Sequence, residues 1–294
     1  ERKVIRVYTP DGTLQQTIGT PGGYQVGPWD PLRFQNLSSM AVDKEDKLWV
    51  VDSTYWPKRV ACFRTDGTHL RDYFGPTEYG SGGVLNPYNK RQLFYGPLEF
   101  ELDWETGTSR LKNLTWDPAD GRAAGEMPFR VNSRLYLVNR PRGSYNTMAC
   151  GIVYIYEKDR LRRVAALGAA SAFGPLKRQE IIDALGGKIL RNLQFVWSDR
   201  NGDGEVQFEE VKFDKRHIGP LTRFNDDLDV QARRYRFEVK RFLDNGAPIY
   251  EEKRLPLPFG TGHWEGQAYR LDNGTYTCRG NEFPDVGYAP DGTV

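Results

Sequence analysis

Apolar residues in this chain come in short runs closed by turn residues, not at the three-to-four spacing of a helix face. Leu48-Trp49-Val50-Val51, Val60-Ala61-Cys62-Phe63, Leu135-Tyr136-Leu137-Val138 and Ile152-Val153-Tyr154-Ile155-Tyr156 are each bounded by polar residues or glycine. Such runs, rich in β-branched and aromatic residues, predict strands. The breaks carry turn chemistry. Thr9-Pro10-Asp11-Gly12-Thr13 follows Val7-Tyr8, and Thr65-Asp66-Gly67-Thr68 follows Cys62-Phe63. An apolar run, an Asp-Gly turn and a second run predict a β-hairpin. One stretch departs from this pattern. In 170–192, Pro175 suits the first turn of a short helix, Leu176, Ile181, Ile182 and Leu185 share a face, and Gly186 can end it.

The hairpins repeat, which is the mark of a stacked-unit architecture. Residues 39–75 hold two hairpins in series, four short strands in a meander, and that is one blade of a β-propeller. The chain is therefore read as an all-β propeller of four-stranded blades. A partial blade spans 1–23, a blade 37–75, an insert 76–128, a blade 129–168, a helical insert 170–192, a blade 193–252 and a partial blade 266–294. Within 76–128 a further hairpin is expected, from Leu98 to Trp104, through Glu105-Thr106-Gly107, and back along Leu111 to Trp116. Tyr288-Ala289-Pro290-Asp291-Gly292-Thr293 nearly repeats Tyr8 to Thr13, so both ends carry the same part of a blade. The expectation is a portion of a larger ring inside a longer polypeptide; a small ring with a redundant terminal strand is the alternative.

Ala41-Val42-Asp43, Leu48-Trp49-Val50-Val51-Asp52, Arg59-Val60-Ala61-Cys62-Phe63 and Asp66-Gly67 together resemble an NHL-repeat blade. The likeness is good over 37–75, partial at 1–19 and 266–294, and loose elsewhere. It implies a propeller. It implies little about activity, because propellers host many unrelated ones. NHL and neighbouring propellers include protein-binding and carbohydrate-binding modules, and a few enzymes such as the amidating lyase of peptide processing and calcium-dependent lactonases.

The segment with the most specific chemistry is Asp199-Arg200-Asn201-Gly202-Asp203-Gly204-Glu205-Val206-Gln207-Phe208-Glu209-Glu210. Its spacing is that of an EF-hand calcium loop. Ca²⁺ is a hard cation that takes six to eight oxygens. Asp199, Asn201 and Asp203 would offer side-chain oxygens, Glu205 its carbonyl, Gln207 a direct or water-bridged contact, and Glu210 a bidentate carboxylate. Gly204 permits the sharp turn, and Val206 anchors the loop to the core. The competing reading is an acidic, glycine-rich turn that binds nothing. With this loop the chain looks like the secreted bacterial propellers in which an EF-hand-like loop grows from one blade. The expected cofactor is Ca²⁺, and the expected compartment is secreted, periplasmic or cell-surface, where calcium is abundant.

Composition narrows the partners. Lys and Arg number 41 against 39 Asp and Glu, a net charge of +2 spread along the chain, so neither nucleic acid nor an anionic membrane is an expected partner. No apolar stretch is long enough for a membrane helix. Cys62, Cys150 and Cys278 are widely spaced and read as buried free thiols.

Two loops carry candidate ligand contacts. Asp52-Ser53-Thr54-Tyr55-Trp56-Pro57-Lys58-Arg59 follows a strand, and Tyr55 and Trp56 read either as a stacking platform or as cover between blades. Asp52 and Arg59 read as a structural pair. Phe259-Gly260-Thr261-Gly262-His263-Trp264-Glu265-Gly266 enters a blade, and His263 with Trp264 reads either as a ligand site near the central channel or as a plain turn. His69 and His217 are expected to be exposed. The function expected from these features is a non-catalytic module binding a glycan or protein partner, with a lyase- or lactonase-type propeller enzyme as the alternative.

Overall fold

A computed structural model describes residues 3–54, 56–77, 82–117, 119, 125–139, 148–215, 219–232 and 235–254, together with short strands between 268 and 289. The described chain is all-β apart from one short α-helix and four single-turn 3-10 helices, and every pairing between its named strands is antiparallel. It divides into two compact units, Glu1–Trp116 and Asp117–Val294.

The first unit opens with the hairpin β1 (Ile5–Tyr8) and β2 (Leu14–Ile18), followed by the two-residue β3 (Gly27–Pro28). The strands β4 (Leu37–Val42), β5 (Lys47–Asp52), β6 (Arg59–Arg64) and β7 (His69–Phe74) then form a four-stranded meander in chain order. Alternation explains which face is buried: along β5, Leu48, Val50 and Asp52 point inward while the residues between them are half-buried. Leu48, Val50, Ala61 and Phe63 pack with Ile5, Ile18 and Phe34, which joins the first hairpin to the meander. The stretch 76–128 holds more than a hairpin. β8 (Val84–Leu85), β9 (Gln92–Tyr95), β10 (Leu98–Asp103) and β11 (Thr108–Leu114) also run in order, and β3 closes the far edge beside β11. Its core is Tyr24, Leu98, Phe100, Leu111 and Leu114, with Trp29 and Phe74 against it.

The second unit is built on a sheet of six strands in chain order. These are β12 (Met127–Val131), β13 (Arg134–Val138), β14 (Cys150–Glu157), β15 (Arg160–Ala169), β16 (Gln194–Ser198) and β17 (Val211–Asp214). One face packs on Phe224, Leu228, Val230 and Phe237. The other packs on Phe173, Leu176, Ile181 and Leu185 of the helical segment, whose helix α1 spans Gln179–Ala184. A three-stranded sheet follows, β18 (Val230–Ala232), β19 (Tyr235–Phe242) and β20 (Pro248–Arg254), and then a second one, β21 (Ala268–Arg270), β22 (Tyr276–Cys278) and β23 (Val286–Tyr288).

The repeat reading places 193–198 and 235–252 in one blade, and here the hydrogen bonding differs. β16 pairs with β15 from Ala165↔Ser198 to Ala169↔Gln194, so the strands flanking the acidic loop extend the preceding sheet, while β19 and β20 pair with β18. β14 pairs along one edge of β15, and β16 takes the other edge along its buried second half.

Candidate metal centre

The loop 199–210 leaves β16 and enters β17. Its first residue continues the sheet, since the Asp199 N–H donates to the Val164 carbonyl at 2.9 Å. The Asp199 side chain is fully buried. Burying a carboxylate requires donors, and the loop wraps to supply them. Gly202 N–H donates to Oδ1 at 2.8 Å and Gly204 N–H to Oδ2 at 3.3 Å. Gly202 and Gly204 adopt φ of +88° and +73°, the left-handed region that glycine enters without penalty. The same device repeats along the loop: Asp203 N–H donates to Asn201 Oδ1 at 3.1 Å, and Glu205 N–H to Asp203 Oδ1 at 2.7 Å. Desolvation is the largest single influence on Asp203 and opposes its ionisation, but the Glu205 N–H, the Gln207 and Asn201 amides and the Arg178 charge together outweigh it and hold its carboxyl below the usual range.

The loop closes on Glu210. Its Oε1 accepts from the N–H groups of Arg200 and Asn201 at 2.7 and 3.2 Å, and its Oε2 accepts from Trp197 Nε1 at 2.9 Å. Val206 is fully buried among Phe195, Trp197 and Leu176. The side chains expected from the spacing thus lie on one wrapped loop. They do not converge on a point: among the described residues no three His, Cys, Asp or Glu side chains form a metal-ligand group. The carboxylates of Asp199 and Glu210 are turned onto N–H donors instead.

Two observations bear on whether a cation fits. The donor set is hard oxygen throughout, the type calcium takes. In addition, Gln207 donates through Nε2 to Asp203 Oδ2 at 2.7 Å, while its own carbonyl Oε1 is buried without a hydrogen-bond partner. A buried acceptor with no donor is a group whose oxygen a cation or its bound water would satisfy. In donor chemistry alone the residues are of the type Ca²⁺ takes; Asp199, Asn201, Asp203, Gln207 and Glu210 would be the side-chain ligands and Glu205 the carbonyl one.

Arginines surround the loop, and the motif did not announce them. Arg162 on β15 pairs through Nη1 with Asp199 Oδ2 and donates through Nη2 to the Asn245 carbonyl at 2.7 Å. Asn245 returns a bond from Nδ2 to the Asp199 carbonyl at 2.8 Å. Arg178 holds Glu205 at 3.3 Å and donates to the Val206 carbonyl, and Arg163 lies 3.7 Å from Glu205. Only the run Arg160-Leu161-Arg162-Arg163 hinted at them, and it reads as a solvated face.

The other candidates are less informative. Tyr55, His263, Trp264 and His217 lie outside the described residues. Trp56 is half-buried, and its Nε1 has no hydrogen-bond partner. Asp52 and Arg59 face each other in register but do not pair. Asp52 accepts from Tyr24 Oη and Gln35 N–H at 2.7 Å and from Asn36 N–H at 2.8 Å. Arg59 donates instead to Asp72 at 2.6 Å, and its guanidinium sits 5.0 Å from the Trp29 ring and 5.4 Å from Phe34. The loop between β3 and β4 supplies donors and rings that spacing alone did not reveal. His69 is not exposed as expected: it is partly buried edge-on to Phe63, with Nε2 2.9 Å from Asp72. A second unforeseen feature is Glu99 on β10. It is fully buried and accepts from Gln92 and Asn113, each at 2.7 Å, with Lys112 at 3.4 Å.

No family model matches the chain, and no curated protein matches it. Among solved structures, a protein assigned as a 6-phosphogluconolactonase from Bacteroides fragilis NCTC 9343 aligns over 94% of this chain and 69% of its own length, at 12% identity and a TM-score of 0.28. The tricorn protease aligns over 89% of this chain but 32% of its own length, at 8% identity and a TM-score of 0.26. Overlap that loose carries no argument, and the all-β architecture stands on the chain's own hydrogen bonding.

Proposed function

We propose that this chain is a calcium-stapled portion of a β-propeller, of the NHL-like type, that serves a secreted protein as a non-catalytic module binding a glycan or protein ligand. The carrying observation is the loop 199–210. Its first ligand position is a fully buried aspartate, its last folds back onto the loop's own N–H groups, and Gln207 Oε1 between them is a buried acceptor without a donor. The propeller reading is supported by successive antiparallel meanders in chain order, the four-stranded β4–β7, then β8–β11 within a five-stranded sheet and β12–β15 within a six-stranded one. The binding role draws on the aromatic loop at Trp56, whose partly exposed ring is the surface that would stack a ligand, its Nε1 being buried and without a hydrogen-bond partner.

Isothermal titration of the purified chain with CaCl₂ tests the metal. One equivalent should bind, and Glu210→Gln should weaken binding at least tenfold, about 1.4 kcal/mol. An unchanged affinity in the variant would remove the loop as the site. A glycan array with the calcium-loaded chain and its Trp56→Ala variant tests the second half of the reading. Turnover of a substrate that is lost on mutating described residues would favour an enzyme instead.

A further inference from the structure

We infer that Arg162 is a built-in competitor of the metal: its guanidinium occupies the first ligand of the loop and must leave before Asp199 can coordinate calcium, so this one residue sets the affinity of the site. The inference rests on the calcium reading above. Asp199 has two side-chain oxygens. Oδ1 is committed to the Gly202 N–H at 2.8 Å, and Oδ2 is shared between the Gly204 N–H at 3.3 Å and Arg162 Nη1. A divalent ion drawn to this carboxylate would meet a unit positive charge across the width of one oxygen, inside a buried environment where screening is weak. The two cations exclude each other.

The geometry shows a seat made for the arginine. A Cβ at Gly204 would lie 2.9 Å from Arg162 Cγ, so the glycine that gives the loop its sharp turn also makes room for the arginine stem. The guanidinium forks, one nitrogen on Asp199 and the other on the Asn245 carbonyl at 2.7 Å, so it ties the loop to the turn between β19 and β20. The Arg162 side chain is 27% exposed while that of Asp199 is 0% exposed, so the arginine has a path to water that the aspartate lacks. The loop carries Asp199, Asp203, Glu205, Glu209 and Glu210 against the single Arg200. Without metal, Arg162 on Asp199 and Arg178 on Glu205 offset part of that charge, while Arg163 is shared with Asp117 at 3.1 Å. With metal, Arg162 becomes surplus. The chain thus has two cations for one carboxylate, an internal one held by geometry and an external one admitted by concentration.

The test is calcium titration of the wild-type chain, Arg162→Met and Glu210→Gln, each also melted in EDTA. Arg162→Met keeps the stem length and removes the charge. It should bind calcium at least tenfold more tightly than wild type, melt lower than wild type in EDTA, and recover in excess calcium. A structural role alone would lower the melting point but leave the affinity unchanged or weaker, and that result overturns the inference while the calcium reading stands. Calcium binding by neither wild type nor Arg162→Met overturns both. Should Arg162→Met not fold in EDTA, Arg162→Lys replaces it. Lysine keeps the charge but cannot fork between Asp199 and Asn245, so its affinity should rise at least threefold; equal or weaker binding contradicts the inference.

Discussion

Arg59 is 2% exposed, and its charge sits among the rings of Trp29, Phe34 and Phe63 with Asp72 as its only carboxylate partner in the described structure. Removing one partner of a buried pair leaves the other uncompensated, which costs about 3–5 kcal/mol. Arg59→Met is therefore expected to lower the urea midpoint sharply, and the Arg59→Met/Asp72→Asn double variant should lose less than the two singles added together. A loss in Arg59→Met below about 1 kcal/mol, the range of a surface pair, would contradict this. Asp72 also makes stability depend on pH. Desolvation raises its pKa, but His69 and Arg59 outweigh that and hold it below the ordinary 3.8. A depressed carboxylate contributes stability that is present above the unfolded value and lost as pH falls through the folded one. Urea midpoints taken from pH 6 down to pH 2 should drop more below 3.8 in wild type than in Asp72→Asn. Parallel curves would show that Asp72 carries no such linkage.

Among the elements, one turn recurs. At Thr9–Thr13, Asp43–Lys47, Arg64–Thr68, Asn225–Asp229 and Leu243–Ala247 the first N–H donates to the fifth carbonyl and the fourth N–H to the first carbonyl. The fourth residue is left-handed each time: Gly12 at φ +87°, Asp46 at +56°, Gly67 at +89°, Leu228 at +66° and Gly246 at +86°. The left-handed conformation costs an L-residue about 1–2 kcal/mol, and Asp bears it better than most. Gly12→Ala, whose new Cβ would meet nothing within 4 Å, isolates that backbone cost and should destabilise by about 1 kcal/mol. Asp46→Gly should change stability by less, or raise it, because it relieves the same strain. Thermal melts that rank the two the other way would mean that the turns are not equivalent.

Four of these turns were legible in the sequence because period and turn chemistry are local; Asn225–Asp229, with Leu228 in the left-handed position, carries no Gly signal and was not. What joins hairpins was not. β3 reaches β11 from 80 or more residues away, and β16 takes the edge of β15 rather than starting a new sheet. The acidic loop was legible by residue type and spacing for the same local reason. Its arginines come from 37 and 27 residues upstream, and Asn245 from 46 residues downstream, so no spacing rule could place them.

At the scale of the whole molecule, the proposed calcium loop belongs to the second unit of repeated antiparallel sheets. The loop draws on three parts of the second unit: β15 through Arg162, the segment before α1 through Arg178, and the β19–β20 turn through Asn245. A ligand bound only by the folded state stabilises it by mass action, about 2.7 kcal/mol at a hundred times the dissociation constant and about 4.1 at a thousand times. The measurement that tests the central claim most directly is a thermal melt of the chain in excess Ca²⁺ and again in EDTA, with Glu210→Gln beside it. A calcium-dependent rise in melting temperature is expected for the wild-type chain and not for Glu210→Gln. Identical melts in calcium and EDTA for the wild-type chain would contradict it, and would leave the loop as a turn closed by its own arginines.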